Sequence, residues 1–326
     1  MSETFGQVLG PPSLEPGQPV DAGHVAGLRR SIQHLVSLDG LRGSDDIAGL
    51  ALRIFRAAHQ TLSAGSHVPS VESDFKAVTA ELGEVAGWLL YDADRQDAAR
   101  AVNLEALQLS RLAGHREMEL FVLSSMAMQV HHVGRGRESL RISGSAMDGP
   151  RLPPRVETLF RLRHARSLAS LGDRSGAEAE MGRARAASDH SIRATDPGWT
   201  WWVNRREITW HEAMMYADFE EWPAAVERFE RAADLVEGPY RRGSYNHNAH
   251  LLDGLVRVRD WRRAEEVAAE VLPLAGEVSS GRVTALIRRT LAHVRGTSAP
   301  STVADLVAAI EHRATARAAD PVGGRS

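Results

Sequence analysis

The stretch Trp222-Pro-Ala-Ala-Val-Glu-Arg-Phe-Glu-Arg-Ala232 decides the fold of this chain. Its small residues Ala225 and Ala232 stand seven positions apart, and Ala213 comes twelve positions before Ala225. The same frame of small residues recurs at Gly87, Ala99 and Ala106, at Ala127, Ser139 and Ala146, and at Ala165, Ala177 and Ala184. Four copies in one register indicate an internal repeat built from helices.

This frame is typical of the tetratricopeptide repeat. In that repeat two antiparallel helices approach closely at small side chains, and each pair buries its apolar stripe against the next pair. The sequence therefore predicts an all-α fold, a right-handed solenoid of helical hairpins with about five helix pairs and additional capping helices. A weaker fifth pair is centred on Ala264. The gaps between Ala99, Ser139, Ala177, Ala225 and Ala264 are 40, 38, 48 and 39 residues, so the helices or loops are longer than in a standard repeat.

The chain divides into five predicted regions. In chain order they are a Pro- and Gly-rich flexible tail (1–20), N-terminal capping helices (21–65), tetratricopeptide-like repeats (71–275), C-terminal capping helices (281–319) and a second tail (320–326). Asp21 is expected to cap the first helix, which Gly40 and Gly43 should end, and a second helix is expected at 45–62.

Glycine, proline and apolar spacing place the helices of the repeats. The predicted pairs are 71–92 with 96–113, 118–133 with 137–147, 155–171 with 174–188, 202–217 with 223–236, and 245–258 with 262–272. The capping helices are predicted at 281–294 and 301–319.

Composition excludes several classes of function. The 326 residues include no cysteine, which excludes disulfides, thiolate nucleophiles and cysteine-ligated metals. A net charge of −3 lacks the basic excess of a nucleic-acid-binding protein, so no direct nucleic acid binding is expected. With neither a long apolar run nor a signal-peptide pattern at the N-terminus, we expect a cytoplasmic protein that does not bind membranes.

The first helix of each pair should line the concave groove of a tetratricopeptide stack. Counting back from the small residue of each second helix, with His211 added because it lies beside the counted positions, predicts the ligand-binding residues. They are Trp88, Tyr91, Met128, His131, Arg166, Trp210, His211, Met214 and Asp253. Aromatic and thioether groups would supply contact area, and the Arg and His side chains would fix orientation. Such a groove suits an extended peptide or an amphipathic small molecule. The alternative is that Trp88, Met128 and Met214 only pack between repeats.

Signals for catalysis, metal binding or a cofactor are weak. His211-Glu212 lacks the second histidine of a zinc-protease helix, and the pairs His131-His132 and His247-x2-His250 are expected by chance among 14 histidines. We therefore predict no catalytic residues, no metal and no cofactor.

Two further clusters have competing interpretations. Trp199, Trp201 and Trp202 form either a packed hydrophobic plug, which is favoured, or part of a binding wall. The arginine pairs are interpreted as solvated faces rather than phosphate clamps; they are Arg29-Arg30, Arg205-Arg206 and Arg241-Arg242.

The run Glu84-Val-Ala-Gly-Trp-Leu-Leu-Tyr-Asp-Ala-Asp94, the later Leu104-Glu-Ala-Leu-Gln-Leu-Ser-Arg-Leu-Ala-Gly114 and Met126-Ala-Met-Gln129 resemble one known family. They are similar to the C-terminal repeat region of XRE-type helix-turn-helix transcriptional regulators of high-GC bacteria. The resemblance implies the sensing or protein-interaction half of such a regulator. No DNA-binding domain can be placed in the short tail before the repeats.

These observations predict a non-enzymatic regulator or adaptor that binds a peptide, a small signal molecule or a partner protein in its groove. Ligand binding would shift the superhelix between open and closed curvatures. The alternative is a helical scaffold recruited as an enzyme acting on a specialised metabolite. A third hypothesis is a homodimer through the C-terminal stripe Val303, Leu306, Val307 and Ile310, which could also serve as a cap.

Overall fold

The computed structural model describes residues 18–188, 193–235 and 241–319. Within these ranges the protein is all-helical, as predicted, with fourteen α-helices, two short 3₁₀ helices and no strand beyond two isolated β-bridges. None of these helices has the length and apolar character needed to cross a lipid bilayer. Most of both predicted tails lies outside the described residues, but Val20 is buried and bridges to His67.

The chain forms two compact units. The first unit holds the residues up to Ser125 together with Ser279–Arg282, and the second holds Met126–Val278 and the residues from Val283 onward. The first unit contains α1 (Ala22–Arg42), α2 (Asp45–Ser63), α3 (Glu72–Asp92), α4 (Gln96–Leu112) and most of α5 (Arg116–His132), with a 3₁₀ helix at Pro69–Val71.

The second unit contains the end of α5 and the helices that follow it. These are α6 (Gly136–Met147), α7 (Pro154–Ser170), α8 (Arg174–Ser188), a 3₁₀ helix at Gly198–Trp202, α9 (Arg205–Asp218), α10 (Trp222–Ala233), α11 (Arg241–Val258), α12 (Trp261–Glu277), α13 (Gly281–Arg295) and α14 (Ser301–Ala319). The core of this unit includes the fully buried Tyr245 and Phe229. Val303, Val307 and Ile310 of the C-terminal stripe are buried in the same core.

Most predicted helix boundaries agree with the structure to within a few residues, and four need correction. The helix predicted from Tyr245 begins at Arg241. Gly40 lies inside α1, which continues to Gly43, whose φ of 80° ends the helix. The helix predicted from Trp202 begins at Arg205, because the Asn204 side chain caps it by accepting a hydrogen bond from the Glu207 N–H. The helix predicted to end at Leu272 continues through Pro273 to Glu277. The predicted cap at Asp21 is present.

One backbone turn recurs between paired helices in the described residues. A residue with positive φ ends α3, α5, α7, α9 and α11, and the next N–H donates to the carbonyl five positions earlier at 2.8–3.0 Å. The positive-φ residues are Asp94, Gly134, Gly172, Glu220 and Arg259. This pairing is the Schellman pattern, which satisfies the last carbonyls of a helix. Each turn lies five residues before the small residue of the following helix, so the backbone repeats with the spacing of the sequence frame.

The small residues of the frame are buried, which explains their spacing. Eleven of them are at most 2% exposed: Ala99, Ala106, Ala127, Ser139, Ala146, Ala165, Ala177, Ala184, Ala213, Ala225 and Ala232. At Gly87 a Cβ atom would lie 2.1 Å from Oδ1 of Asn103, so α3 and α4 approach too closely there for any larger side chain. The frame therefore marks the positions where helices are in closest contact.

A short segment late in the sequence completes the first unit. In this segment, Ser279–Arg282, the Ser279 N–H donates to the Arg42 carbonyl at 2.7 Å, and the Gly281 N–H donates to Oδ1 of Asp45 at 2.9 Å. Nη2 of Arg282 lies 2.8 Å from Oδ1 of Asp92. We call this segment the late clasp, since it holds the α1–α2 turn and the end of α3 together.

Candidate functional site in the second unit

The second unit contains a network of charged and imidazole side chains on three helices. Its members are His131 on α5, Arg163 and Arg166 on α7, and Glu207, His211 and Asp218 on α9. Helical spacing brings them together, because residues three, four or seven positions apart share one face of a helix. We call these six residues the polar network.

Arg166 and Asp218 form the strongest contact of the polar network. Nε of Arg166 lies 3.0 Å from Oδ2 of Asp218, and Nη2 lies 3.2 Å from Oδ1. Burial opposes ionisation of Asp218, but the Arg166 guanidinium and His131 hold the pKa of Asp218 at about 2. Nε2 of His131 lies 3.6 Å from Oδ2 of Asp218, and burial together with the nearby Arg166 charge lowers the pKa of His131. Around neutral pH the pair is therefore ionised and His131 is neutral.

His211 is fully enclosed between Arg163 and Glu207. Its Nε2 lies 3.0 Å from Nη1 of Arg163 and 3.2 Å from Oε1 of Glu207. Burial lowers the pKa of His211 to about 4, and the Arg163 charge acts in the same direction, so the ring is neutral. A guanidinium only donates and a carboxylate only accepts, so a neutral ring can satisfy one of these contacts. With the ring proton on Nδ1, Nε2 accepts from Arg163; with the proton on Nε2, it donates to Glu207, so one of the two contacts is unsatisfied in either case.

A layer of aromatic and imidazole rings adjoins the polar network. The Trp210 ring packs edge-on against His211 and His250, at centroid distances of 5.0 and 5.7 Å. The Phe229 ring from α10 lies 6.0 Å from His250 and 5.9 Å from His247. Helices α9, α10 and α11 thus contribute to one set of stacked rings, which we call the ring layer: Trp210, His211, Phe229, His247 and His250.

Several buried hydrogen-bonding atoms in these two groups have no partner among the described residues. They are Nδ1 of His131, Nε1 of Trp210, Nδ1 of His211 and both ring nitrogens of His247. Burial and the charge of Arg206 lower the pKa of His247 to about 4. The Phe229 carbonyl lies near His247 and acts to raise its pKa, but its geometry does not allow a hydrogen bond with either ring nitrogen. Buried polar atoms are normally satisfied, so this concentration of unsatisfied ones marks a candidate site.

The structure brings four of the predicted site residues together and leaves others elsewhere. His131 and Arg166 belong to the polar network, Trp210 belongs to the ring layer, and His211 belongs to both. Met214 is half-buried against the core of the second unit, and Met128 is half-buried on α5.

Asp253 is buried and engaged by two protein groups. Its Oδ1 accepts a hydrogen bond from the Thr290 hydroxyl at 2.9 Å, and its Oδ2 accepts one from Nε of Arg257 at 2.9 Å. Its carboxylate is therefore already satisfied inside the second unit.

Trp88 and Tyr91 belong to the first unit. Nε1 of Trp88 donates to Oδ2 of Asp39 at 3.1 Å, and the Arg282 guanidinium lies 4.5 Å from the centre of the Tyr91 ring. Both aromatic side chains thus contact the residues around the late clasp.

One member of the tryptophan cluster departs from the favoured interpretation as a packed plug, whereas the other two, Trp199 and Trp202, are half-buried. Trp201 is 65% exposed, whereas Thr200 beside it is buried. Nη1 of Arg155 donates to the carbonyl oxygens of Thr200 and Trp201 and so holds the 3₁₀ helix. Trp201 is therefore a surface side chain rather than part of the core.

Sequence reasoning missed Arg163, Glu207, Asp218, Arg206 and His247. The spacings Arg163-x2-Arg166 and Glu207-x3-His211 were visible, but such pairs are common on solvated helices. The interpretation of Arg205-Arg206 as a solvated pair holds for Arg205, which is exposed, and is wrong for Arg206, whose Nε is buried.

Among the described residues, no three His, Asp or Glu side chains are grouped so that they could hold a metal ion. Comparison of the chain with known protein families found no match, and comparison with curated proteins found no significant relative.

Proposed function

We propose that this protein is a non-enzymatic regulator or adaptor built as a tetratricopeptide-like solenoid, and that its second unit binds a peptide or small signal molecule at the polar network and ring layer. The recurring turn and the burial of the small-residue frame support the solenoid. The resemblance to the sensing half of XRE-type regulators favours the regulatory role.

The observation that carries the proposal is the set of buried, unsatisfied polar atoms around Trp210, His211 and His247. A buried donor without a partner is destabilising, and a protein retains several at one place when a ligand satisfies them. The half-buried Trp210 ring adds apolar contact area beside these donors. A peptide suits such a site, because its backbone supplies both carbonyl acceptors and N–H donors.

The alternative of an enzyme has less support. The contact of Glu207 with His211 is the nearest approach to an acid–base pair in the polar network. A general base works best with a pKa near the operating pH, and burial lowers the pKa of His211 to about 4. Binding is thus better supported than proton transfer.

The test is native mass spectrometry of the full chain purified from its own host, before and after denaturation. We expect a bound mass that is released on unfolding. The variant Trp210→Phe keeps an aromatic side chain, although a smaller one, and removes the indole N–H, and it should carry less of that mass. Trp201→Phe is the matched control, because Trp201 is exposed and lies outside the ring layer. An empty wild-type protein that is also not stabilised by any member of a peptide and metabolite library would overturn the proposal.

A further inference from the structure

Arg206 is a half-buried arginine that forms no ion pair with an acidic side chain of the described residues. Its Nε is enclosed, and its side chain makes no hydrogen bond or ion pair in the part of the chain that the structure describes. Four comparable arginines of the second unit are paired with carboxylates: Arg161 with Glu157, Arg166 with Asp218, Arg228 with Glu212 and Arg257 with Asp253. Arg206 differs from these four arginines in that no described carboxylate lies within ion-pair distance of it.

The surroundings of Arg206 supply further hydrogen-bond donors. Arg206 and Trp210 are four positions apart and share a face of α9, and His247 and His250 are three positions apart on α11. The contact of the Trp210 and His250 rings joins these two faces at 5.7 Å. Nε1 of Trp210 can only donate, and a neutral His247 carries one N–H, so both have a donor to offer.

Burial opposes ionisation of Glu207, but His211, Arg163 and, more weakly, Arg206 lower the pKa of Glu207, so this acid and Arg206 attract each other. Among the described residues, however, no carboxylate lies within ion-pair distance of Arg206. Glu207 follows it directly, but the Glu207 carboxylate lies 3.2 Å from Nε2 of His211, within the polar network. The Arg206 charge also acts on His247, which places the guanidinium near that ring. A buried cation is destabilising unless an anion accompanies it, and arginine binds carboxylate and phosphate oxygens with its planar fork. Because Arg206 is only half-buried, an anion can reach it from solvent.

We propose that Arg206, Trp210 and His247 form an oxyanion site, and that the ligand of the second unit carries a carboxylate or a phosphate group that pairs with Arg206. This inference rests on the proposed function, because it names the chemistry of the ligand for the same site. A carboxylate could come from a peptide terminus or a small acid, and a phosphate from a phosphorylated ligand.

The test titrates the full chain with acetate, with inorganic phosphate and with neutral acetamide at constant ionic strength, and follows binding by calorimetry and by the melting temperature. We expect acetate or phosphate to bind and raise the melting temperature, and acetamide to have no effect. The anion that binds more tightly identifies the group. Arg206→Gln should weaken its binding by roughly tenfold or more, because a charge-assisted contact is lost. Arg205→Gln is the matched control, since Arg205 is exposed on the same turn, and it should bind as the wild type does.

A second measurement needs no ligand. Since the Arg206 charge is unpaired, Arg206→Met should melt at or above the temperature of the wild type in anion-free buffer. A clear decrease would reveal an internal partner and overturn the inference. Equal binding of acetate and acetamide, or equal anion binding by Arg206→Gln and the wild type, would also overturn it. If a neutral molecule co-purifies with the protein and neither anion binds, this inference fails while the proposed function stands; if nothing binds, both fail.

Discussion

Arg166 on α7 and Asp218 at the end of α9 form a two-point ion pair across 52 residues of sequence, with Nε–Oδ2 and Nη2–Oδ1 distances of 3.0 and 3.2 Å. The side chains are only 13% and 18% exposed, so water screens the pair weakly. The ion pair joins α7 and α9, which the sequence frame predicts as the first helices of adjacent repeats, but the pairing of these two side chains could not be predicted from the sequence.

Asp218→Asn should lower the free energy of unfolding by about 3 kcal/mol, because the substitution leaves the Arg166 charge enclosed without its partner. Urea unfolding at pH 7 measures the loss. The control is Glu266→Gln, which breaks an ion pair with Arg262 whose side chains are 77% and 57% exposed, and it should cost less than about 1 kcal/mol. Equal losses in the two variants would show that the Arg166–Asp218 pair contributes no more than a surface contact.

Glu84→Gln should stabilise the first unit at alkaline pH. Glu84 is buried, the Ser125 hydroxyl donates to its Oε1 at 2.8 Å, and burial raises the pKa of Glu84 to about 8 from a reference of 4.5. Its contribution to stability is therefore complete below about pH 4.5 and is lost as the pH rises through 8. Glutamine resembles the protonated acid and can still accept the hydrogen bond from Ser125.

Melting curves between pH 5 and 9 test this prediction. The melting temperature of the variant should exceed that of the wild type, and the difference should grow as the pH rises. Glu117→Gln, at an exposed position, should change stability by less than about 0.5 kcal/mol at neutral pH. If the difference in melting temperature is constant or shrinks as the pH rises, Glu84 is not a protonated acid in the folded protein.

His247→Leu should flatten the acid side of the stability profile. The pKa of His247 is about 4 in the folded protein against a reference of 6.5, so the unfolded chain binds more protons between these values. The corresponding stability is present above about pH 6.5 and is lost as the pH falls toward 4, at up to about 1.4 kcal/mol per pH unit. Leucine does not titrate, and urea unfolding at several pH values should show a slope smaller by up to that amount. Identical slopes would mean that His247 does not resist protonation.

Gly43→Ala should strongly destabilise the first unit. Gly43 has a φ of 80°, and a Cβ atom there would lie 2.0 Å from the Ser279 carbonyl oxygen in the late clasp. Backbone cannot move aside easily, so we expect a loss of at least about 3 kcal/mol. Gly114→Ala is the control, because it introduces the same backbone strain without a steric clash. Gly114 has a φ of 66°, and a Cβ atom added there would have no atom within 4 Å, so this variant should lose only about 1 kcal/mol of stability. Similar losses in thermal or urea unfolding would indicate that the late clasp is not tightly packed.

The helices were predictable because small side chains leave a periodic trace. Ala177, Ala225 and the other frame residues are small because paired helices approach closely at these positions. Since the paired helices are neighbours in sequence, these contacts produce a regular spacing of small residues that can be recognised in the sequence. The turns were harder to recognise. Asp94, Glu220 and Arg259 adopt positive φ without being glycine, so the turn signal was missing from three of the five copies.

The candidate site was predictable only in part. Counting positions in the repeat led to His131, Arg166 and Trp210, because these positions recur with the helix period, and His211 was included as the neighbour of Trp210. The same counting led to Trp88 and Tyr91, whose contacts in the first unit are with Asp39 and with Arg282, which is distant in sequence. Arg206 was misjudged because adjacent arginines on a helix are normally solvated. Only the tertiary fold, which brings α11 alongside, encloses the second of them.

The late clasp has a consequence for how the protein is made. Gly281 and Asp45 are 236 positions apart, and their hydrogen bond belongs to the first unit. A ribosome must therefore synthesise almost the whole second unit before the first can acquire its last contacts. Until then the early helices lack their contacts with the late clasp and remain accessible to chaperones and proteases. Contacts between segments distant in sequence form late and slowly. A stop codon or a slow stretch of translation shortly before residue 279 would thus damage the beginning of the protein more than its position suggests.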